Sequence, residues 1–307
     1  MRAIIPVMLL LAAISLSGCQ NPAAGPFVSE VLPPPAAHEP MLAVHMTDSN
    51  TVVRMDFETY LAGVVAGEMP NSWPLEALKA QAILARTFVL KFVSEKDSIY
   101  PGADISTDIT EAQAYNAAAV NKRILQAVEA TAGQILLTSD GALPYTWFHS
   151  HSGGRTETAR AGLDWQGEEP SHTRVADGME SDKAAWTASF PKNEFLDACR
   201  ETGAHVASCS SVSIGPKGAS GRAESLLVDG TAVNAARLRI SLGSTKMRST
   251  LLTELYIEDN TVHMSGFGYG HGVGMSQWGA HELARRGWSA EEIALHYYRG
   301  VHIVKAW

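Results

Sequence analysis

The chain has 307 residues, 46% of them hydrophobic, which is enough apolar material for one large domain or for two lobes about a cleft. Its formal net charge is −8 and it has no basic run, which argues against nucleic acid as a partner and leaves neutral or cationic polymers open. The three cysteines include no CxxC pair, which excludes a zinc ribbon.

Met1 and Arg2 give a positive start, and residues 3–16 are a mainly apolar run containing Pro6. Such a run is too short to span a bilayer and fits the core of an export signal. It leads into Leu16-Ser17-Gly18-Cys19, which looks like a bacterial lipobox. Residues 1–18 are therefore expected to be a lipoprotein signal peptide, with Cys19 lipidated as the mature N-terminus. Residues 20–40, QNPAAGPFVSEVLPPPAAHEP, carry six prolines and cannot join a core. Together with Cys19 they read as a tether, reaching roughly 65 Å at about 3.1 Å per residue. The expected location is the outer membrane, facing the periplasm, in a cell that has one, and otherwise the cell membrane. Lipidation leaves Cys199 and Cys209, which can close a short disulfide loop in an oxidising compartment.

Residues 41–307 read as the folded domain. Residues 41–55 alternate apolar and polar, as strands do. Residues 57–67, FETYLAGVVAG, predict a short helix running into Glu68, with Pro70 forcing a stop. Residues 73–93 predict the strongest helix: Pro74 suits a first turn, and Leu75, Leu78, Ala82, Ala85, Val89 and Phe92 mark one stripe. A third helix is expected over 117–132, stopped by Gly133. From 134 to 270 the pattern is short strands and turns. Two helices close the chain, one over 275–286 and one from Ser289, where Glu292 completes a capping box. The fold class is α+β, with helices near the start and end of a strand-rich middle.

Residues 266–280, GFGYGHGVGMSQWGA, place Gly266, Gly268, Gly270, Gly272 and Gly274 on alternate positions around His271. In a strand they would share one face of bare backbone, open to a neighbouring strand or a ligand. The alternative is a tight turn packed under the helix that follows.

His149 and His151 would share a strand face, and His271 and His296 could complete a zinc set, although isolated histidines are more often surface or packed residues. Ser150 and Ser152 adjoin them, but GxSxG is absent. Glu68 ends a helix beside Val64, Val65 and Met69. A glutamate at a helix end is ordinarily solvated; the alternative is that these apolar neighbours raise its pKa and keep it protonated, as a general acid requires.

Four segments in order, AGEMPNSWPLEALKAQAILARTF (66–88), WFHSHSGGRTE (147–157), RISLGSTKMRST (239–250) and GFGYGHGVGMSQWGAHELARRGWSAEEIALHYYRG (266–300), resemble the SpoIID/LytB family of sporulation stage II protein D and the amidase enhancers. The resemblance implies a SpoIID-like domain that cleaves peptidoglycan glycan strands free of stem peptides, as a lytic transglycosylase. It makes Glu68 the acid, and Arg86 and Arg248 fall where family basic residues are implicated. His149, Ser150, Gly153, Gly154, His271, Ser276 and Gln277 become candidate glycan contacts, and Trp73, Trp147, Trp165 and Trp278 candidate sugar-stacking rings, although at least two of the four read as core residues. Relatives that bind zinc do so through cysteines this chain lacks, so no cofactor is expected. The alternative within the family is a non-catalytic enhancer of an N-acetylmuramoyl-L-alanine amidase. The expected partners are glycan strands, a membrane through the lipid anchor and a cell-wall amidase.

Overall fold

The computed structural model describes residues 38–307. The leader, Cys19 and nearly all of the proline-rich stretch lie outside the described residues. Among the described residues, no helix is long and apolar enough to cross a membrane.

The chain opens with the hairpin β1 (Met41–Met46) and β2 (Thr51–Asp56), followed by α1 (Phe57–Glu68) and α2 (Leu75–Glu95). Then come β3 (Ile105–Ser106), α3 (Lys122–Ala130), β4 (Gln134–Thr138), β5 (Phe148–His149) and α4 (Ala159–Leu163). The middle holds β6 (Ala185–Pro191), α5 (Lys192–Glu201), β7 (Val212–Ile214), β8 (Ser225–Val228), β9 (Thr231–Asn234) and α6 (Ala235–Ser241). The last part holds β10 (Leu252–Glu258), β11 (Thr261–Phe267), β12 (Met275–Ser276), α7 (Gln277–Arg285), α8 (Ala290–Tyr297) and β13 (Val301–Lys305). The fold is α+β, 31% helical and 26% strand.

Among the described residues, five small sheets replace any single large one: β2-β1-β3, β10-β11-β6, β7-β8-β9, and the pairs β12-β5 and β13-β4. Strand β13 returns the end of the chain to lie antiparallel to β4, with Val301 opposite Thr138. Two apolar cores result. The first packs α1, α2, α7 and α8, with Leu61, Val64, Leu78, Leu84, Ile293 and Tyr297 fully buried. The second lies among β6, α5, β8, α6 and β11, around Phe190, Phe195, Leu226, Leu238 and Val262.

Helices α1 and α2 are found close to where their periodicity puts them, and the capping box predicted at Ser289 is made with Glu292. The expected third helix is divided. A single 3-10 turn at Ala117–Ala119 precedes α3, because the Asn121 side chain accepts the N–H groups of Arg123 and Ile124 and starts a new helix there. Helices α5 and α6 interrupt a region expected to be strands and turns. The expected Cys199–Cys209 disulfide is not formed. Both are free thiols buried in the second core. Burial pushes the Cys199 thiol up to about 12, so it packs as a neutral, small apolar side chain.

Candidate functional site

Glu68 is the last residue of α1; Met69 turns extended and Pro70 prevents continuation. Two glycines on α1 decide what Glu68 meets. A Cβ at Gly63 would collide with the Tyr115 ring, and one at Gly67 would lie 2.7 Å from the backbone of Ala114 and Tyr115. Their absence lets the 114–116 segment lie directly on the helix, where Asn116 N–H donates to the Gly63 carbonyl at 2.9 Å. This contact delivers Ala114 N–H to Glu68 Oε1 at 2.7 Å. The other oxygen, Oε2, accepts from the Gln277 side-chain amide at 3.1 Å, across 209 residues of sequence. Burial raises the Glu68 pKa, and the two hydrogen bonds oppose it without cancelling it. The negative end of the α1 dipole also favours the neutral acid. Among the described residues, no other carboxylate contributes to the shift.

Gln277 owes its place to a buried network. It opens α7, whose N-cap is Ser276, accepting from Gly279 N–H. The Ser276 hydroxyl donates to Glu180, which also accepts from Ser152 N–H at 2.7 Å and the Ser152 hydroxyl at 2.8 Å. The Glu180 side chain is only 2% exposed. Strand β12 runs parallel to β5, with Ser276 opposite His149. The HSHSGG and GMSQ segments are therefore neighbours, and both index Gln277 against Glu68.

The glycine segment is not the open strand face that its alternation predicts. Only Gly266 lies in a strand. Gly268, Gly270, Gly272 and Gly274 have φ of +81°, +110°, +86° and +71°, values that L side chains rarely adopt. The protein's own atoms fill the approach. A Cβ at Gly268 would lie 2.8 Å from the His151 carbonyl, one at Gly270 2.8 Å from His149 Cβ, and one at Gly272 2.5 Å from the Arg222 guanidinium. The loop runs along residues 147–157, with Tyr269 N–H donating to the His151 carbonyl and Glu157 N–H to the Gly272 carbonyl. The glycines seat the chain beneath α7, in line with the turn alternative.

The histidines belong to this packing. His149 is buried, donates Nδ1–H to the Val273 carbonyl at 3.1 Å, and leaves Nε2 buried without a partner. Its pKa falls well below the usual value through burial. Half-buried His271 accepts Val273 N–H at Nδ1 and is pushed down to about 3, chiefly by burial and then by Arg239. His151 accepts Gly153 N–H at Nδ1, 3.0 Å, and turns Nε2 to Asp182 at 3.2 Å. Both His151 nitrogens and the Nδ1 atoms of His149 and His271 are engaged, which leaves His149 Nε2 unpartnered and does not make a zinc set. Among the described residues, no group of three or more histidine, cysteine, aspartate or glutamate side chains is arranged to hold a metal.

The remaining predicted residues separate. Fully buried Arg86 forks onto Glu58 at 2.7 and 3.0 Å and donates to the Gln134 carbonyl at 2.8 Å. Glu58 opens α1 whereas Glu68 ends it, about 15 Å apart along the helix. Arg86 is thus a structural clamp on Glu58, and the fold does not bring it to Glu68 as the substrate contact the resemblance implies. Arg248 is exposed, over the Tyr269 ring at 5.5 Å, in a 440 Å³ concavity shared with Trp186 and Phe267. A larger one, 760 Å³, lies between Lys91, Tyr145, His172 and Arg299. Glu68 lines neither concavity. The Ser150 carbonyl accepts Trp278 N–H at 3.0 Å, Gly153 is buried, and Gly154 is exposed with φ +119°.

Buried charges that were not singled out from sequence include Glu180, Glu157 and Arg222. Arg222 donates to the Arg155 and Ser152 carbonyls at 2.9 and 2.6 Å, and Glu157 accepts from Ser220. Glu157 lies within the quoted His-Ser segment, which was its only signal; nothing local marks Arg222 or Glu180.

These pieces, a helix-end glutamate held by an amide from a glycine-rich loop and helix far along the chain, define a class. Residues 45–137 match the SpoIID family, described as Stage II sporulation protein. The chain is 32% identical over 279 residues to Stage II sporulation protein D of Bacillus amyloliquefaciens, covering 86% of this chain and 78% of that one, and it belongs to this family. It is also 30% identical to an uncharacterized protein of Brachyspira hyodysenteriae, covering 86% of this chain and 71% of that one. To the amidase enhancer of Bacillus subtilis it is 29% identical, over 78% of this chain but only 39% of that longer protein.

Proposed function

We propose that this protein is a peptidoglycan lytic transglycosylase, with Glu68 as its single general acid and base. The observation that carries the reading is the raised pKa of a lone carboxyl fixed by Ala114 and Gln277. Hydrolytic glycosidases pair two carboxyl groups, one for the leaving oxygen and one for water or for the anomeric carbon. A transglycosylase needs one. Protonated Glu68 gives its proton to the glycosidic oxygen between muramic acid and glucosamine as that bond breaks. The muramoyl C6 hydroxyl then attacks its own anomeric carbon, and its proton passes to the Glu68 carboxylate, closing a 1,6-anhydro ring and restoring the acid. Intramolecular attack supplies the positioning that a second carboxylate would otherwise provide.

Gln277 suits both halves of this cycle. Its amide donates N–H to the carboxylate and, rotated, offers its carbonyl to the acid. Ala114 N–H can only donate, so it holds Oε1 and leaves Oε2 to carry the proton. Glu68→Gln keeps the Ala114 N–H bond at Oε1, donates its own amide N–H to the carbonyl of a rotated Gln277, and removes the proton. It should lower cleavage of stem-peptide-free strands by about 10² to 10⁴ with the fold intact. Near-normal turnover by a folded variant would sink the assignment.

The name of the amidase-enhancer relative supports a second reading, in which the same domain stimulates a cell-wall amidase. If Glu68→Gln raises amidase activity as well as the wild type does while wild type alone never cuts glycan, this second reading replaces the first. For location, the lipobox-like LSGC supports export and anchoring through Cys19. Cys19→Ser should release the protein from membranes, and unchanged fractionation would count against the anchor.

A further inference from the structure

Of the seven tryptophans, Trp278 alone presents a large exposed face, 42% of its surface. The others are occupied or covered. Trp186 is buried and donates to Ser249, Trp147 and Trp165 pack with Tyr145, Trp288 meets His296 edge-on, and Trp307 lies against Phe57. Trp278 directly follows Gln277, the residue bonded to Glu68. Successive helical residues point about 100° apart, so in the first turn of α7 one side chain reaches the carboxyl while the next faces solvent beside it.

The ring is also held. Trp73 meets it edge-on at 4.8 Å between centroids, and His281 packs on both at 4.9 and 5.3 Å. Trp73 is 9% exposed and lies five residues beyond Glu68, on the loop between α1 and α2. Two of the segments that form the Glu68 site, 68–73 and 277–281, therefore contribute to one aromatic shelf with one open indole. A rigid, wet aromatic face loses little conformational freedom on binding. It suits the axial C–H face of a pyranose ring, while the indole N–H remains able to donate to a hydroxyl.

We propose that Trp278 is the platform on which a sugar of the glycan strand stacks next to the bond that Glu68 cleaves, with Trp73 and His281 as its backing. This rests on the glycan reading of the Glu68 site. The test uses full-length protein carrying Glu68→Gln, so that strands bind without being cut, and purified stem-peptide-free glycan strands as the probe. Calorimetry compares this protein with versions that also carry Trp278→Ala or Trp278→Phe. The alanine version should bind roughly tenfold or more weakly, in the range for truncating an aromatic anchor. The phenylalanine version keeps a ring against Trp73 and should retain most of the affinity. Equal thermal unfolding of the three proteins separates lost stacking from lost folding. Equal affinity of the alanine version overturns the platform and leaves the glycan reading standing. Failure of the Glu68→Gln protein to bind glycan at all overturns both.

Discussion

Gly67→Ala tests whether the small face of α1 is what positions the acid. In an open helix this change stabilises by about 1 kcal/mol, because alanine has the better helix propensity. Here the new Cβ would lie 2.7 Å from the Ala114 carbonyl carbon and from the Tyr115 nitrogen, and 2.8 Å from the Ala114 carbonyl oxygen. Those are backbone atoms and cannot swing aside, so the 113–116 segment must move off the helix by most of an ångström. Overpacking of this kind costs about 1–3 kcal/mol, and the net change is a loss of up to about 2 kcal/mol. The effect on chemistry is larger, since the displaced N–H is the one that holds Glu68 Oε1 at 2.7 Å. A misplacement near 1 Å at a reacting group costs on the order of 10² in rate. Gly63→Ala is the comparison: the three atoms nearest its Cβ belong to the Tyr115 ring, a side chain rather than backbone. Urea unfolding, glycan turnover and hydrogen exchange at the Ala114 amide should therefore separate the two variants, with Gly67→Ala losing activity and Ala114 protection out of proportion to stability. A Gly67→Ala protein that is about 1 kcal/mol more stable and fully active would refute the reasoning.

Arg86→Met should cost about 3 kcal/mol, the lower end for breaking a buried pair, because Glu58 keeps the Gly133 N–H; Tm should fall by roughly 6–12 °C. Adding Glu58→Gln should recover part of that, and glycan affinity of the folded variant should not change; a stable Arg86→Met protein that no longer binds glycan would restore Arg86 to the site. His271 has its folded pKa depressed to about 3, so below its unfolded value near 6.5 the unfolded chain binds the extra proton and stability falls as pH falls. His271→Gln should reduce the slope of unfolding free energy between pH 6 and 5 by about 1.4 kcal/mol per pH unit; an unchanged slope means that His271 is already charged in the fold. Alkylation under non-reducing denaturation should label both Cys199 and Cys209, and native protein should resist it because both thiols are buried and Cys199 is held protonated; a mass two hydrogens lighter with no labelling would mean a disulfide.

The parts of the fold legible in the sequence are those set by local periodicity and capping. Helices α1, α2 and α8 announce themselves through Leu75, Leu78, Ala82 and Val89 on one stripe and through the Ser289–Glu292 box. Helices α5 and α6 are short and are stabilised by the second core rather than by their own pattern. The period of two in the glycine run misleads for a physical reason: glycine alternation can mark positive φ at every second residue as readily as one face of a strand. At the site, Glu68 stands out through the resemblance of residues 66–88 to the family motif, because a helix-end glutamate taken alone reads as solvated. Its partners were not legible, since Ala114 is a backbone donor and Gln277 depends on a contact 209 residues away. Arg86 shows the opposite case, a conspicuous charge in a motif whose work is to clamp Glu58 at the far end of α1 from the acid.

The central claim is that Glu68 alone drives an intramolecular cleavage without water. The most direct measurement is mass spectrometry of purified stem-peptide-free glycan strands after digestion in water enriched in oxygen-18. Lytic transglycosylation predicts new 1,6-anhydro-muramyl ends with no incorporated label, formed by wild type and absent with Glu68→Gln. Labelled reducing ends would show hydrolysis and contradict the account, as would uncut strands under conditions where the same preparation stimulates an amidase.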